Sequence, residues 1–143
     1  MKKGRDYIGV GTGAMVFNDK GEVFIAQRGP ASNNEAGLWD FPGGTVDFGE
    51  TCEATVIREL KEEFDMDIEI VDLLEVVNHI LPEEGQHWVA ITYTAKQVGG
   101  TPRVMEPEKC PHFKWVKMED IILEELTQSS RSNYTKYMAG LGK

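Results

Sequence analysis

Along this chain apolar and polar positions alternate, shift into helical spacing once in the middle and again at the end, and alternate in between. From Gly9 to Asn18, GVGTGAMVFN reads as a strand whose early residues are small, leaving room for a close approach to the backbone. Asn18-Asp19-Lys20-Gly21 is a turn, and Glu22 to Gln27 alternates as the return strand of a hairpin. Gly29 to Gly37 is polar and glycine-bearing, which predicts a loop with freedom to move. A helix starts at Thr51, whose hydroxyl can cap it, and Glu50 and Glu53 suit the positive end of its dipole. Val56, Ile57, Leu60 and Phe64 give that helix its apolar stripe. Ile68 to His79 and His87 to Gln97 are rich in β-branched residues and read as strands, with a turn over Pro82 to Gln86 between them. Gly99 to Pro111 is a loop, and Phe113 to Val116 a short strand. Helical spacing returns over Met118 to Leu126, at Ile121, Ile122 and Leu126. It returns again over Ser129 to Ala139, where Tyr134, Tyr137 and Met138 form an apolar patch that Leu141 extends. No repeat, low-complexity tract or linker interrupts this order. It predicts one α+β domain over residues 1–143, a sheet sandwiched between helices.

Composition narrows the partners more than the fold. At 143 residues, with 41% hydrophobic and 27% charged residues, the chain can bury a core. Cys52 and Cys110 have neither metal-type spacing nor a disulfide framework, so they read as idle or buried thiols. Met1-Lys2-Lys3-Gly4 leads into no apolar signal core, and no apolar run is long enough to span a bilayer. The expectation is a cytoplasmic protein without a membrane partner. A formal net charge of −9 argues against a long nucleic acid, which needs a basic surface. A small polyphosphate is compatible with that charge if metal ions and one or two local cations neutralise it.

The chemistry concentrates between Gly44 and Met66, GTVDFGETCEATVIRELKEEFDM. Glu59, Glu62 and Glu63 stand at i, i+3 and i+4 and share one helix face. Carboxylates so placed repel one another. A hard divalent cation with oxygen ligands, Mg²⁺ or Mn²⁺, removes the repulsion. Arg58, four residues before Glu62, forms a favourable surface pair of about 0.2–0.5 kcal/mol. Taken alone, these residues also fit a solvated charged helix face.

The stretch resembles the signature of the Nudix hydrolases, Gly-x5-Glu-x7-Arg-Glu-(apolar)-x-Glu-Glu-x-Gly-(apolar). Gly44, Glu50, Arg58, Glu59, Leu60, Glu62, Glu63 and Met66 fill it at the right spacing. Asp65 departs from it, standing where the family usually has the glycine that ends the helix. Asp tolerates the left-handed backbone of such a position. The preceding Leu38 to Gly44 is similar to the family as well. Met105 to Cys110, Trp115-Val116, Val76-Val77-Asn78 and Trp88 to Ile91 are similar to members acting on nucleoside triphosphates. These include vertebrate enzymes for deoxynucleotides and thiopurine nucleotides. The likeness runs over roughly residues 8 to 126, and only the central box is diagnostic.

The resemblance implies a mixed sheet between helices and Mg²⁺-dependent hydrolysis of a phosphoanhydride, with Mn²⁺ as a substitute. The leading reading is a MutT-type enzyme that converts a nucleoside triphosphate, modified or oxidised deoxynucleotides among them, to monophosphate and pyrophosphate. Cleavage of ADP-ribose or another nucleoside diphosphate sugar comes second; none of Pro82, Pro102 or Pro107 clearly matches that branch's downstream proline. A non-catalytic nucleotide-binding module comes third, and the intact Glu59, Glu62 and Glu63 count against it. By similarity, Glu59, Glu62, Glu63 and the Gly43 carbonyl hold metal, Arg58 orients the acidic cluster, and Glu50 ties down the loop. The base stays unassigned among the three carboxylates and the waters they hold. Relatives in this branch also imply a homodimer.

Other residues stand outside the box. Arg28, at a strand end, has the planar fork for a phosphate, and as readily reads as a surface Arg. Phe41 and Trp39 can stack on a base or belong to the core, and Trp88 and Trp115 read more as core. Gly44 and Glu106 complete the expected substrate contacts, with an exposed loop acid as the equal alternative for Glu106. His79, His87 and His112 lack ligand spacing and read as structural or peripheral, with His87 the one to watch.

Overall fold

The computed structural model describes residues 1–141. Its centre is β1 (Gly9–Phe17), which runs parallel to β6 (Gln86–Gly99) along its whole length, Gly9 opposite Trp88 and Phe17 opposite Lys96. On its other edge β1 meets two strands. β2 (Val23–Gln27) pairs at Phe17, and β4 (Gly43–Thr45) pairs antiparallel over Gly11 to Gly13. β3 (Trp39–Asp40) and β7 (His112–Val116) both pair with β2, and β5 (Asp67–Leu81) closes the far edge against β6. The result is a mixed seven-stranded sheet. The split of β1's edge between β2 and β4 opens the gap through which the central motif enters the helix.

Strand alternation assigns the two faces. Ala14, Val16, Phe24, Ala26, Tyr93 and Ala95 point to one side, where α1 (Cys52–Phe64) covers them with Val56, Leu60 and Phe64. Met15, Val23, Ile25 and Phe41 point to the other, against Tyr134 and Tyr137 of α2 (Gln128–Leu141). This is the expected α+β sandwich. Each fully buried Val, Leu or Phe contributes about 1.5–3 kcal/mol, so α1 is held chiefly by this face, whereas α2 docks through the half-buried Tyr134 and Tyr137 and the buried Ser130 and Asn133.

α1 starts and stops as its sequence dictates. The Thr51 hydroxyl accepts the Ala54 N–H at 3.1 Å. Asp65 ends the helix in the left-handed region, φ 54° and ψ 40°. Two carbonyls of the last turn, on Glu63 and Phe64, accept from the N–H groups of Met105 and Arg103, both at 3.0 Å. Ile57 departs from the expected stripe and is exposed. It lies at the stripe's edge, beyond the part of the sheet that α1 covers.

The segment Met118 to Leu126 corrects the expectation of a helix there. It forms two single 3₁₀ turns, Met118–Asp120 and Leu123–Glu125, separated by extended backbone at Ile121 and Ile122. Leu126 is buried beside Trp39, to which it is bridged, so sheet packing overrides the apolar spacing. α2 runs two residues past the expected end, and its stripe is divided. Tyr134 and Tyr137 dock on their own sheet, while Met138 and Leu141 remain exposed. Residues 142 and 143 of the expected 1–143 domain lie outside the described residues. No described helix is long and apolar enough to cross a membrane.

Candidate functional site

The helical angle grades the three carboxylates of α1 by depth. At about 100° per residue, Glu63 lies about 20° from Val56, Glu59 about 60° and Glu62 about 120°. Glu63 is accordingly buried at 6% exposure, Glu59 half-buried, and Glu62 exposed. Glu59 and Glu63 both line a pocket of about 230 Å³ that also touches Gly43, Gly44 and Phe41. A side chain at Gly44 would collide with the Glu59 carboxylate, and one at Gly43 with the Thr12 carbonyl. The two glycines are therefore required by the close approach of helix, β4 and β1.

Arg58 organises the outer side. Its Nε and Nη2 donate to the two oxygens of Glu50 at 2.6 and 2.9 Å, a bidentate fork. Nη1 reaches Glu59 at 3.1 Å and Glu62 at 3.2 Å. Thr55 donates to Glu50 at 2.8 Å. The Arg58 hydrogen bonds, then that of Thr55, hold the Glu50 carboxyl down at about 2, and the same fork raises Arg58. Glu62 is turned toward Arg58 and away from the pocket, and among the described residues no three acidic or metal-ligating side chains converge as a cage.

Glu63 shows the opposite electrostatics. Burial, then the charge of Glu59 beside it, pushes its carboxyl up to about 8, against the pull of Lys109. Two neighbouring carboxylates, one of them buried, form a hard oxygen donor pair whose repulsion a divalent cation would relieve. The residues present therefore fit such an ion.

The rest of the pocket brings together residues far apart in sequence. Arg28 lines it, but its guanidinium is engaged by Asp40 at 3.0 Å and by the Asn34 carbonyl at 2.8 Å. Burial raises Asp40, with Arg28 opposing. Glu35 has φ 49° and is buried against His79, Oε1 to Nε2 at 2.8 Å, while its other oxygen accepts the Gln128 N–H at 2.8 Å at the start of α2. Burial would raise Glu35, yet His79 and Gln128 together hold it below the usual range. Asn34 donates to Gln86 at 2.8 Å, and Gln86 in turn accepts from the Trp88 indole at 2.7 Å. The loop expected to be free is thus fastened through buried polar groups.

Of the expected aromatics, Phe41 lines the pocket and is also core, whereas Trp39 lies under Lys114 with its ring centre 4.5 Å from Nζ. Trp88 is buried and reaches the pocket, and Trp115 packs in the core. His79, and not His87, is the histidine of the site. Glu106 stands beside Lys109 at 3.8 Å, outside the pocket lining. Cys52 and Cys110 are free; burial, then Asp40 and Glu63, pushes the Cys110 thiol up to about 12. Sequence reasoning missed Glu35, His79 and Lys109. Glu35 and His79 stand in segments without motif spacing, whereas Lys109 lies in the Met105 to Cys110 stretch, whose resemblance pointed to Glu106 instead.

Comparison with known proteins adds a second line. The NUDIX domain family model matches residues 8–137. An 8-oxo-dGTP diphosphatase from Proteus vulgaris is 44% identical over 71 residues, 49% of this chain and 62% of that protein. The chain thus spans less than two thirds of that relative. An RNA pyrophosphohydrolase from Erythrobacter litoralis is 29% identical over 126 residues, covering 76% of each. Among solved structures, a MutT NUDIX hydrolase from Burkholderia pseudomallei superimposes with a TM-score of 0.83 at 37% identity, over 92% of this chain and 98% of that one.

Proposed function

Because the chain belongs to the Nudix hydrolase family, we propose that it hydrolyses a nucleoside triphosphate to the monophosphate and pyrophosphate, with modified or oxidised deoxynucleotides within its substrate class. The observation that carries this reading is the meeting of Glu59 and Glu63 in one pocket against Gly44, with Arg58 forked onto Glu50 behind them. The names of the Proteus and Burkholderia relatives support the same reaction class. In this reading Glu59 and Glu63, with the Gly43 carbonyl, would hold Mg²⁺, and Mn²⁺ would substitute, whereas Glu62, expected as a third ligand, is turned to Arg58 outside the pocket. The bound cation supplies neutralisation of polyphosphate charge and polarises the phosphoryl group. Arg58 keeps Glu59 aimed inward and fixes the motif loop through Glu50. Phe41 and Gly44 border the substrate, Arg28 stiffens its wall through Asp40 and Asn34, and Glu106 stands behind Lys109. The protein acts in the cytoplasm on small nucleotides, as a homodimer of single-domain chains.

A panel of nucleoside triphosphates, ADP-ribose and nucleoside diphosphate sugars, incubated with Mg²⁺, tests the reading. Monophosphate and pyrophosphate in equal amounts from a triphosphate are the expected result. Cleavage confined to the diphosphate sugars, or no cleavage at all, overturns it.

A further inference from the structure

Lys and Arg reach the pocket at two places among the described residues, Arg28 and Lys109, and they are held very differently. Arg28 is fastened at hydrogen-bond distance to Asp40 and to the Asn34 carbonyl. The Lys109 side chain is about half exposed, and its Nζ stands 3.8 Å from both Glu63 Oε1 and Glu106 Oε1. That is longer than the roughly 2.7–2.9 Å of a charge-assisted hydrogen bond. Its backbone, by contrast, is fixed. The Lys109 carbonyl accepts from the Gly29 N–H at 2.6 Å and from the Ser32 hydroxyl at 3.2 Å, and its own N–H donates to the Glu106 carbonyl at 3.0 Å. Met105 anchors the same segment to the Glu63 carbonyl of α1. A rigid base thus carries a flexible four-carbon stem whose ammonium hovers beside the deepest carboxylate of the site.

We propose that Lys109 is a phosphate-contacting residue with two positions, resting on Glu63 in the cation-free protein and turning to the substrate's outer phosphates when a divalent cation takes Glu63. The inference rests on the proposed reaction. Charge logic drives the exchange. A divalent cation at Glu63 repels the neighbouring ammonium, while a polyphosphate attracts it, and the stem needs no backbone movement to follow. Arg28 is a poorer contact because turning would leave the half-buried Asp40, its partner at 3.0 Å, unpaired.

Two binding measurements on the whole chain test this, Mn²⁺ alone and then inorganic triphosphate in the presence of Mn²⁺. Lys109→Met removes a competitor for Glu63, so Mn²⁺ binds about threefold tighter, while triphosphate binds about tenfold weaker. Lys109→Arg keeps triphosphate binding within about threefold of the parent. These opposite directions are not what a merely structural role produces. Mn²⁺ affinity unchanged or weaker in Lys109→Met, or triphosphate affinity within about twofold of the parent, overturns the inference. The nucleotide panel is read on the parent protein, so failure of the proposed reaction shows there and failure of the Lys109 exchange shows here.

Discussion

Glu59 and Glu63 are one helical turn apart, yet one is half-buried against Gly44 and Arg58 while the other is sealed beneath it. Both line the pocket, Glu63 at the edge of the core stripe beside Val56, and Gln nearly matches Glu in size and shape, so these replacements should spare packing. Glu59→Gln and Glu63→Gln are each expected to lower Mg²⁺-dependent turnover at least about a hundredfold with an unchanged circular dichroism spectrum. Parent-like rates in both would remove these residues from the chemistry. Gly44→Ala reaches the same end by a steric route, because its methyl group occupies the place of the Glu59 carboxylate. A large fall in kcat with a small fall in Tm is expected, and an unaffected kcat would mean that Glu59 has another productive position. Glu50 gives a pH test. Its folded value of about 2 lies below the ordinary 4.5, so its ionised form contributes stability that is complete above pH 4.5 and lost as the pH falls toward 2. Thermal melts through that window should show a fall in Tm that Glu50→Gln flattens. Parallel curves for the two proteins would contradict the role given to the Arg58 fork.

At the scale of elements, the end of α1 is the informative place. Asp65 takes the left-handed conformation that glycine adopts freely, and its carboxylate pairs with Lys61 and Arg103, both at 3.2 Å. Exposed pairs of this kind are worth about 0–1 kcal/mol, similar to the strain that glycine would relieve. Asp65→Gly is therefore expected to be near neutral, whereas Asp65→Ala, which loses the same pairs and keeps a Cβ, should be less stable than Asp65→Gly by about 1 kcal/mol. Urea unfolding of the two variants measures that difference directly, and equal midpoints would show that the turn carries no strain. The Met118 to Leu126 segment teaches the complementary lesson. Its apolar spacing suits a helix, but Leu126 is drawn into the sheet beside Trp39, and a continuous helix could not place it there.

For the whole molecule, the exposed apolar surface bears on association. Tyr134 and Tyr137 dock within their own chain, which leaves Met138 and Leu141 of α2 and Val71, Leu73, Val76 and Ile80 of the edge strand β5 as exposed apolar surface. Light scattering at micromolar concentration is expected to give twice the 16.0 kDa chain mass. A mass of one chain ends the dimer proposal and leaves the catalytic one untouched. The sequence by itself determined what is local or periodic. It set the longer strands β1, β2, β5, β6 and β7, the Thr51 and Asp65 ends of α1 and the Arg58–Glu62 pair, because hydrogen bonds and side-chain angles within one element depend on neighbours a few residues away, whereas the short strands β3 and β4 exist only through their pairing with β2 and β1. The tertiary structure alone decided which carboxylates are buried, that Arg58 forks onto Glu50, and that Glu35 meets His79. It also decided that Lys109 reaches Glu63 and that Arg28 belongs to Asp40. Those pairs join separate strands, loops and helices, and their distances are set by how the sheet is ordered and where β1's edge divides. Spacing along the chain carries no record of that arrangement.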